Sequence, residues 1–228
     1  MEDNKHIIIS LGGSLIVPNE IDTKFVQSFV EMIKTYIAKG FKFAIITGGG
    51  KICRKYNDAL KEIVDPTNEE LDWLGISLTR ANSEFVRIAF GEYAYESVVR
   101  DPDDMPDTIK PVIMSAGWKP GNSSDLAAIH AARSLGALKI INLSNIDYAY
   151  DKDPKKYPDA VKIEKSNWAD FRKILPEEWN PGLNAPFDPV AAREAEELGL
   201  EVVIMNGKNL ANIEKYLNGE AFEGTVIK

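Results

Sequence analysis

Cysteine and histidine are scarce in this sequence. Its 228 residues include a single cysteine, Cys53, and two histidines, His6 and His130. One cysteine excludes an internal disulfide and any zinc site built from cysteines. The two histidines are too few and too far apart in sequence to predict a metal cage, so we expect both to be structural or surface residues.

Long apolar runs and an excess of positive charge are also missing. No apolar run approaches the length of a membrane span, and the first five residues lack the form of a secretory signal, so we expect a cytoplasmic protein without a membrane partner. Asp and Glu (35) outnumber Lys and Arg (27), which gives a net charge of −8. This balance argues against a nucleic-acid partner but permits a local phosphate pocket, whose field is set by nearby groups.

The remaining composition is that of an ordinary globular protein, with 44% hydrophobic and 27% charged residues. The length allows one large domain or two small ones, and either can bury a substantial core. The polar stretch at 100–107 is a loop and not a domain linker, because periodic structure resumes directly after it. We therefore predict a single domain over residues 1–228.

The most informative stretch is a strand followed at once by three glycines. Residues 41–47 are apolar and β-leaning, Gly48–Gly50 follow, and a helical pattern starts near Lys51. Glycines let the backbone approach a ligand closely, and the helix start directs free N–H groups into the same space, which favours a phosphate. The alternative is a tight turn without a ligand. The stretch matches neither a Walker A loop, because Ile52 stands where the hydroxyl residue belongs, nor the G-x-G-x-x-G fingerprint.

A second junction of the same kind opens the chain. Residues 6–11 predict a buried strand, and the glycines of the Gly12-Gly13-Ser14 motif follow it. Asp22 then caps a predicted helix that ends before Gly40. Its apolar stripe consists of Phe25, Phe29, Ile33 and Ile37. This pattern is a βαβ unit, so we expect both glycine junctions at one edge of a parallel sheet.

A long helix is predicted after the chain break at residues 65–66. Thr67 and Glu70 have the spacing of a capping box. The apolar residues of the helix are Leu71, Leu74, Leu78, Phe85 and Ile88. Its polar residues of interest are Asp72, Arg80 and Asn82, for which the alternative is an ordinary solvated helix face.

A third glycine-rich loop follows the next strand. The strand predicted at 110–114 leads through residues 115–125 into an alanine-rich helix. Polar side chains crowd the start of that helix: Asn122, Ser123, Ser124 and Asp125. They could be caps, or they could hold polar groups of a substrate at the helix dipole.

The rest of the chain continues the alternation of strands and helices. Further strands are predicted at 139–143, at 201–204 and, as a terminal edge strand, at 224–227. Loops are predicted at 148–154 and 176–186. Asp188 and Pro189 are typical of a helix start, and this helix runs to Gly199. The whole pattern predicts an α/β fold, a three-layer α-β-α sandwich around a mainly parallel sheet, with ligands beyond the carboxyl ends of the strands.

Five motifs occur in the order in which one known family has them. They are Gly12-Gly13-Ser14, Gly48 to Tyr56, Asp72-Trp73-Leu74-Gly75, Pro120 to Asp125 and Asn145 to Pro154. The ordered set spans about Ile7 to Val226 and resembles the amino acid kinase superfamily, specifically the archaeal-type uridylate (UMP) kinases. The resemblance implies transfer of a phosphoryl group from ATP to UMP, a step of pyrimidine nucleotide biosynthesis, by a homohexamer that needs Mg²⁺.

The resemblance also implies roles for particular residues. It implies an ATP site made of Ser10, Leu11, Gly12, Gly13, Ser14, Gly50, Arg54, Ser144, Tyr150 and Asp153, the last three at the adenosine. It implies a UMP site made of Gly49, Asp72, Trp118, Lys119, Pro120, Gly121, Asn122, Ser123 and Ser124, with Gly49 at the phosphate and Asp72 at the ribose. Asp125 and Asp188 match acidic positions near the transferring phosphoryl group, where they would orient cationic groups or bind Mg²⁺. No residue is assigned as a dedicated metal ligand.

Two residues depart from the family pattern. Ser10 stands where many members have a lysine, and Tyr148 stands where members usually have a glycine. Tyrosine tolerates positive φ poorly, so we expect the adenosine loop to turn differently. We expect Lys51 and Arg54 to replace the missing cation in catalysis, with the alternative that Lys51 only solvates a helix start. The alternative functions are a related phosphotransferase with another small acceptor and a catalytically silent nucleotide-binding protein.

Overall fold

A computed structural model describes residues 6–154, 156–177 and 185–228. Its strands are β1 His6–Leu11, β2 Lys42–Thr47, β3 Val112–Ser115, β4 Lys139–Ser144, β5 Ala149–Tyr150, β6 Lys162–Ile163, β7 Lys165–Ser166, β8 Glu201–Asn206 and β9 Thr225–Ile227. Its α-helices are α1 Gly13–Ile16, α2 Thr23–Ile37, α3 Gly50–Ile63, α4 Asn68–Phe90, α5 Ser124–Leu135, α6 Trp168–Phe171, α7 Pro189–Glu197 and α8 Leu210–Leu217. The amino-terminal five residues and most of the loop predicted at 176–186 lie outside the described residues.

Seven of these strands form one sheet in the order β3-β2-β1-β4-β8-β9-β7. Neighbours pair in parallel except β8 and β9, which are antiparallel. This confirms the predicted α/β fold around a mainly parallel sheet. The prediction that residues 224–227 form an edge strand is wrong, because β9 lies between β8 and β7. The edge strand on this side of the sheet is β7, Lys165–Ser166, whose two polar residues do not predict a strand.

The sheet separates two apolar layers. Consecutive strand residues point to opposite faces, so Ile8 packs into one layer and Ile9 into the other. One layer is covered by α2, α4 and α8, and the other by α5, α6 and α7. A central parallel strand that is buried on both faces explains the continuous apolar run at the start of the chain.

Helix α2 forms as its sequence predicts. The carboxylate of Asp22 accepts a hydrogen bond from the backbone N–H of Phe25, and Gly40 adopts a φ of 88° just beyond the helix. The buried face includes Phe29, Ile33 and Tyr36. This crossover helix places β2 beside β1 in parallel register, so both strands end at the same edge of the sheet.

Helices α3 and α4 form a hairpin that leaves apolar surface exposed. The capping box of Thr67 and Glu70 at the start of α4 is confirmed. The predicted apolar face of α4 is partly wrong: Phe85 and Ile88 are exposed, because the helix instead turns Ser83, Val86 and Phe90 toward the sheet. Helix α3 buries none of its residues. No helix in the described part of the chain is long and apolar enough to cross a membrane.

Candidate active site

The two glycine junctions touch each other at the carboxyl edge of the sheet. A Cβ atom added to Gly13 would lie 2.2 Å from the backbone N of Gly50 and 2.4 Å from the carbonyl O of Gly48. Gly50 has a φ of 70°, which favours glycine. The N–H of Gly48 donates to the carbonyl O of Leu11 at 2.9 Å. The expectation that the two junctions lie at one edge of the sheet is therefore confirmed, and their direct contact leaves no room for a side chain at Gly13.

The helices that follow these junctions begin without a side-chain cap. Helix α1 starts after Gly12 and α3 after Gly49, and neither glycine can supply a capping oxygen. Side chains cap α2, α4, α5, α6, α7 and α8. The first N–H groups of α1 and α3 are thus left for another partner, and an anion is the partner that a helix start favours.

A cavity of about 290 Å³ opens beside the triglycine loop, between α3 and α4. We call it the α3–α4 cavity. It is lined by Gly48, Gly49, Gly50, Cys53, Asn57, Leu71, Asp72, Gly75, Ile76, Thr79, Gly117, Asn122, Ser123 and Ser124. Five residues of the predicted UMP site line it: Gly49, Asp72, Asn122, Ser123 and Ser124. Gly50, which was predicted for the ATP site, lines it as well.

The other four residues of the predicted UMP wall do not line this cavity. The Trp118 ring lies 4.9 Å from that of His130, and the Nζ atom of Lys119 lies 3.7 Å from the Trp118 ring centroid. The N–H of Gly121 donates to the Oδ2 atom of Asp72 at 2.8 Å. Residues 118–121, which include Pro120, therefore form a loop that is fastened to α4 and α5 around the cavity. His130 is structural, as expected: its ring nitrogens contact carboxylate oxygens of Asp103 and Glu194.

The polar residues of α4 do not form a solvated face. The Nδ2 atom of Asn82 is 3.0 Å from the carbonyl O of Gly48 and 3.3 Å from that of Gly49, so its donors hold the triglycine loop. Arg80 donates to the carbonyl O of Trp118 at 3.2 Å. The Oγ1 atom of Thr79 accepts from the N–H of Gly117 at 2.9 Å. Helix α4 thus fixes both loops that border the α3–α4 cavity, and the solvated-face alternative is wrong.

Asp125 lies in the first turn of α5 but does not cap that helix. The cap is Ser123, whose Oγ atom accepts from the N–H of Leu126 at 3.1 Å. One carboxylate oxygen of Asp125 accepts from the Oγ atom of Ser10 at 2.9 Å and from the Nδ2 atom of Asn142 at 2.7 Å. These partners stand near the carboxyl ends of β1 and β4. Asp125 is therefore held at the sheet edge beside the glycine junctions.

Asp188 is next to Asp125 and has a different local role. Its Oδ1 atom accepts from the N–H groups of Val190 and Ala191 at 2.6 and 3.0 Å, so it caps α7. Its own backbone N–H donates to the Asp125 carboxylate. The pKa of Asp125 is raised to about 6, first by burial and then by the nearby charge of Asp188, although the hydrogen bonds from Ser10, Asn142 and the Asp188 backbone act to lower it. Asp125 is surrounded by protein but keeps part of its surface open at the sheet edge.

The two cations expected to act in catalysis lie at the start of α3. The Nζ atom of Lys51 donates to the Oδ1 atom of Asn19 at 2.9 Å, and Lys55 donates to the carbonyl O of the same residue at 3.3 Å. The Arg54 side chain is exposed. The loop after α1 therefore rests on α3, and neither Lys51 nor Arg54 contacts Asp125 in this structure. Their role in catalysis stays a prediction.

A second cavity of about 290 Å³ lies beyond the carboxyl end of β4. We call it the β4 cavity. It is lined by Ser144, Asn145, Ile146, Tyr148, Tyr150, Asp151, Lys152, Asp153, Pro154, Ile174, Ala185 and Pro186. All three residues expected at the adenosine, Ser144, Tyr150 and Asp153, line it. The residues expected at the ATP phosphates belong to the neighbouring end of β1 and to the glycine loops: Ser10, Leu11, Gly12, Gly13 and Ser14. Leu11 is fully buried, so it offers only backbone atoms.

The loop around Tyr148 needs no glycine. Among the described residues every non-glycine residue has a negative φ, so Tyr148 is not strained. The loop is fixed by a hydrogen bond from Asn206 to the Oδ1 atom of Asp147 at 2.9 Å and by one from the N–H of Ala149 to Thr225 at 2.9 Å. The tyrosine therefore fits its loop without left-handed backbone.

Several cavity residues were not predicted from the sequence. In the α3–α4 cavity they include Cys53, Asn57 and Thr79, and in the β4 cavity Ile146 and Tyr148. Gly49, Cys53 and Asn57 follow each other at four-residue spacing, so they share one face of α3. That spacing was a usable signal, but it identifies a cavity face only after the triglycine loop is known to lie at its end.

Comparison with known proteins gives the same family throughout. The sequence model of the amino acid kinase family matches residues 5–206. The uridylate kinase of Thermococcus kodakarensis is 32% identical over 227 residues, which cover 97% of this chain and 99% of that protein. That of Staphylothermus marinus is 33% identical and covers 97% of each chain. The crystal structure of the uridylate kinase of Archaeoglobus fulgidus matches with a TM-score of 0.84 and 28% identity, covering 97% of this chain and 99% of that one.

Proposed function

Because the chain belongs to the amino acid kinase family, we propose that it transfers the γ-phosphoryl group of ATP to UMP, giving UDP and ADP. The observation that carries this proposal is the placement of two cavities at one sheet edge, with two touching glycine junctions at that edge. Each cavity suits a nucleoside, and the uncapped helix starts at the junctions suit phosphates. Phosphoryl transfer needs this positioning and charge neutralisation more than it needs a covalent nucleophile.

We assign ATP to the β4 cavity and UMP to the α3–α4 cavity. Ser144, Tyr150 and Asp153 would then surround the adenosine, and the triphosphate would extend along Gly12 and Gly13 toward Gly50. UMP would place its phosphate at Gly49. Asp72 would accept hydrogen bonds from the ribose hydroxyls, because one of its oxygens already anchors Gly121 and the carboxylate can accept more than one donor.

Asp125 and Asp188 would act where the phosphoryl group is transferred. Asp125 is fixed by three hydrogen bonds, from Ser10, Asn142 and the backbone of Asp188, so its position does not depend on the substrate. A carboxylate fixed in this way can orient a cation beside the phosphates without any rearrangement during the reaction. Lys51 and Arg54 supply the positive charge that Ser10 cannot.

We propose Mg²⁺ as the metal that accompanies ATP. In phosphotransferases Mg²⁺ is held by one or two carboxylates together with substrate phosphates, and it neutralises charge that develops between the phosphates. The adjacent carboxyl groups of Asp125 and Asp188 fit such a donor set, and they would be the residues to hold it. This chain's own groups, the glycine N–H donors and the α3 cations, would orient the triphosphate around it.

We further propose that the chain assembles as a homo-oligomer, and specifically as a hexamer. The support is the exposed apolar surface of α3 and α4, where Ile63 is 78% and Ile88 is 64% exposed and Tyr56, Trp73 and Phe85 lie on the same hairpin. Surface of this kind is typical of a protein interface. Sedimentation analysis of the wild type and of an Ile63→Glu, Ile88→Glu double variant tests the assembly: a monomer in both cases contradicts it.

The proposal also includes the number of domains and the cellular location. We assign all 228 residues to one domain, because the last strand, β9, pairs with both β8 and β7 inside the same sheet that contains β1. We also assign the protein to the cytoplasm, where ATP and UMP are present together.

The test of the proposed function is an ATP-consumption screen over five acceptors: UMP, CMP, dUMP, acetylglutamate and carbamate. We expect turnover with UMP and formation of UDP. Turnover only with acetylglutamate or carbamate would identify the protein as a related phosphotransferase with another small acceptor. Binding of nucleotides without turnover of any acceptor would identify it as a silent nucleotide-binding protein.

A further inference from the structure

Tyr148 is a cavity residue to which the proposed function gives no role. It lines the β4 cavity, it stands where the family motif usually has a glycine, and its backbone conformation would accept most residues. An aromatic ring at this place is therefore not required by the turn. The question is what the ring contacts when ATP is bound.

The short ribbon of β5 and β6 decides which way the ring faces. Ala149 pairs with Ile163 and is fully buried, so it points into the core. Side chains alternate along a strand, so Tyr150 points to the opposite side, and Tyr148 lies in the bend directly before the strand. Both of them line the β4 cavity. The ribbon thus presents two aromatic rings to one cavity.

One face of the Tyr148 ring is already occupied. The Nζ atom of Lys162 lies 4.7 Å from the ring centroid, and the same atom is 2.7 Å from the Oε1 atom of Glu164. Lys162 is not among the residues that line the cavity. The lysine therefore covers one side of the ring and holds it in place, while the remaining ring surface borders the cavity.

The rest of the cavity wall suits a flat, mainly apolar group. Ile146, Ile174 and Ala185 supply apolar surface, whereas Ser144 supplies a polar group at the end of β4, toward the glycine junctions. A purine base offers two apolar faces and a polar edge, and it prefers to stack on an aromatic ring.

We propose that Tyr148 is a donor-binding residue that stacks on the purine base of the phosphoryl donor. The proposal rests on the proposed function for the identity of the donor. The ring is held by Lys162 before the donor arrives, so stacking costs little ordering of the side chain. Because every base has an aromatic face, this contact favours a nucleotide over a base-free phosphate donor but does not distinguish one purine from another.

Binding of Mg·ATP to four variants, measured by calorimetry, tests the stack. Tyr148→Leu should weaken ATP about 10-fold and leave UMP binding unchanged. Tyr148→Phe and Tyr148→Trp keep an aromatic ring and should bind ATP within about 2-fold of the wild type. Tyr93→Leu is the matched control, because Tyr93 also lies beside a lysine, Lys34, but neither residue lines either cavity, and it should bind ATP normally.

Two results would overturn the proposal. One is wild-type ATP affinity in Tyr148→Leu, and the other is a loss of ATP affinity in Tyr148→Phe and Tyr148→Trp as large as in Tyr148→Leu. If Tyr148→Leu fails to fold, the Phe and Trp variants still decide. Upfield shifts of the adenine protons on binding, present in the wild type and lost in Tyr148→Leu, would report the stack directly. Normal ATP binding with this variant pattern but without UMP turnover would refute the proposed function and leave the stack standing.

Discussion

The two cavities of this protein are built in different ways. One side of the α3–α4 cavity is the backbone of the triglycine loop, which packs against the second glycine junction and is held by hydrogen bonds from Asn82 of α4. The β4 cavity is bordered by side chains of an aromatic loop and a two-stranded ribbon. A glycine in close backbone contact cannot be replaced by a residue with a side chain, whereas a side chain that lines a cavity can be replaced without disturbing the backbone. Substitutions at the junctions should therefore affect both substrates, and substitutions in a cavity only one.

The largest effect is expected from Gly13→Ala. The new Cβ atom would meet backbone atoms of Gly48 and Gly50, which cannot move without opening the triglycine loop. We expect loss of detectable turnover and of binding of both nucleotides, measured by a coupled assay and by calorimetry. Gly199→Ala is the control, because nothing lies within 4 Å of its added Cβ atom and Gly199 lines neither cavity. Its φ of 64° makes alanine unfavourable there, so the control should lose some stability but bind both nucleotides normally. A Gly13→Ala enzyme with normal activity would show that the junctions are not shared by the two substrates.

The next effect concerns the carboxylates between the cavities. Asp125→Asn and Asp188→Asn should each lower kcat by about 10²-fold or more and change either KM far less, because the groups act on the transferring phosphoryl group. Asn is a good helix cap, so Asp188→Asn should keep α7 folded. Steady-state kinetics and circular dichroism test this. An Asp125→Asn enzyme with a lower melting temperature and an unchanged kcat would assign that residue a structural role only.

The cations of α3 should have a similar or slightly smaller effect. Lys51→Met and Arg54→Met should each lower kcat by about 10²-fold with folding intact, because Ser10 leaves no lysine at the end of β1 to neutralise the phosphates. Lys55→Met is the matched control, since Lys55 contacts the same Asn19 from the next turn, and its kcat should stay normal. Near-normal kcat in both Lys51→Met and Arg54→Met would leave Mg²⁺ and backbone N–H groups as the neutralising groups.

A change inside one cavity should weaken one substrate. Asp72→Ala should weaken UMP by about 1.5–3 kcal/mol, the scale of a charged hydrogen bond, and leave ATP nearly unaffected. Asp72→Asn tests the ribose contact alone. Its amide oxygen can still accept the hydrogen bond from the N–H of Gly121, but the charge offered to the ribose hydroxyls is lost. Asp58→Ala, an exposed carboxylate of α3 outside the cavity lining, is the control. Equal weakening of UMP and ATP by Asp72→Ala would mean that Asp72 supports the fold and not the ligand.

The smallest effect is one of stability. The pKa of Asp125 is about 6 in the folded protein and lies at its ordinary value of 3.8 when unfolded, so the folded state binds more protons between these values. Its contribution is fully present below about pH 4 and is lost as the pH rises through 6. At pH 8, Asp125→Asn should therefore unfold at a higher temperature than the wild type. The gain in the free energy of unfolding should be about 1–2 kcal/mol, less than the full pKa shift implies, because the carboxylate is partly exposed to solvent. The difference should shrink at pH 4. A melting temperature that changes equally at both pH values would contradict the raised pKa.

Much of the framework could be predicted because its signals are local. Asp22, Thr67 and Gly40 mark helix ends by their own chemistry, and continuous apolar runs mark the parallel strands. The meeting of the glycine junctions follows from topology, since parallel neighbours end at one edge.

The missed parts depend on tertiary partners. Strands β5, β6 and β7 have two residues each, many of them polar, and exist only because other strands pair with them. The face that α4 buries depends on how the sheet lies against it, and Phe85 belongs to the apolar pattern without being buried. Asn57 and Tyr148 line cavities that form only when loops distant in sequence come together.

Binding of a bisubstrate ligand in which adenosine and uridine are joined by five phosphates tests most directly whether the two cavities are halves of one site. With ATP in the β4 cavity and UMP in the α3–α4 cavity, the linked ligand should occupy both and span the glycine junctions. We expect it to bind at least about 10²-fold more tightly than either nucleotide alone and to displace both. An affinity no greater than that of ATP, or displacement of ATP without displacement of UMP, would contradict the account.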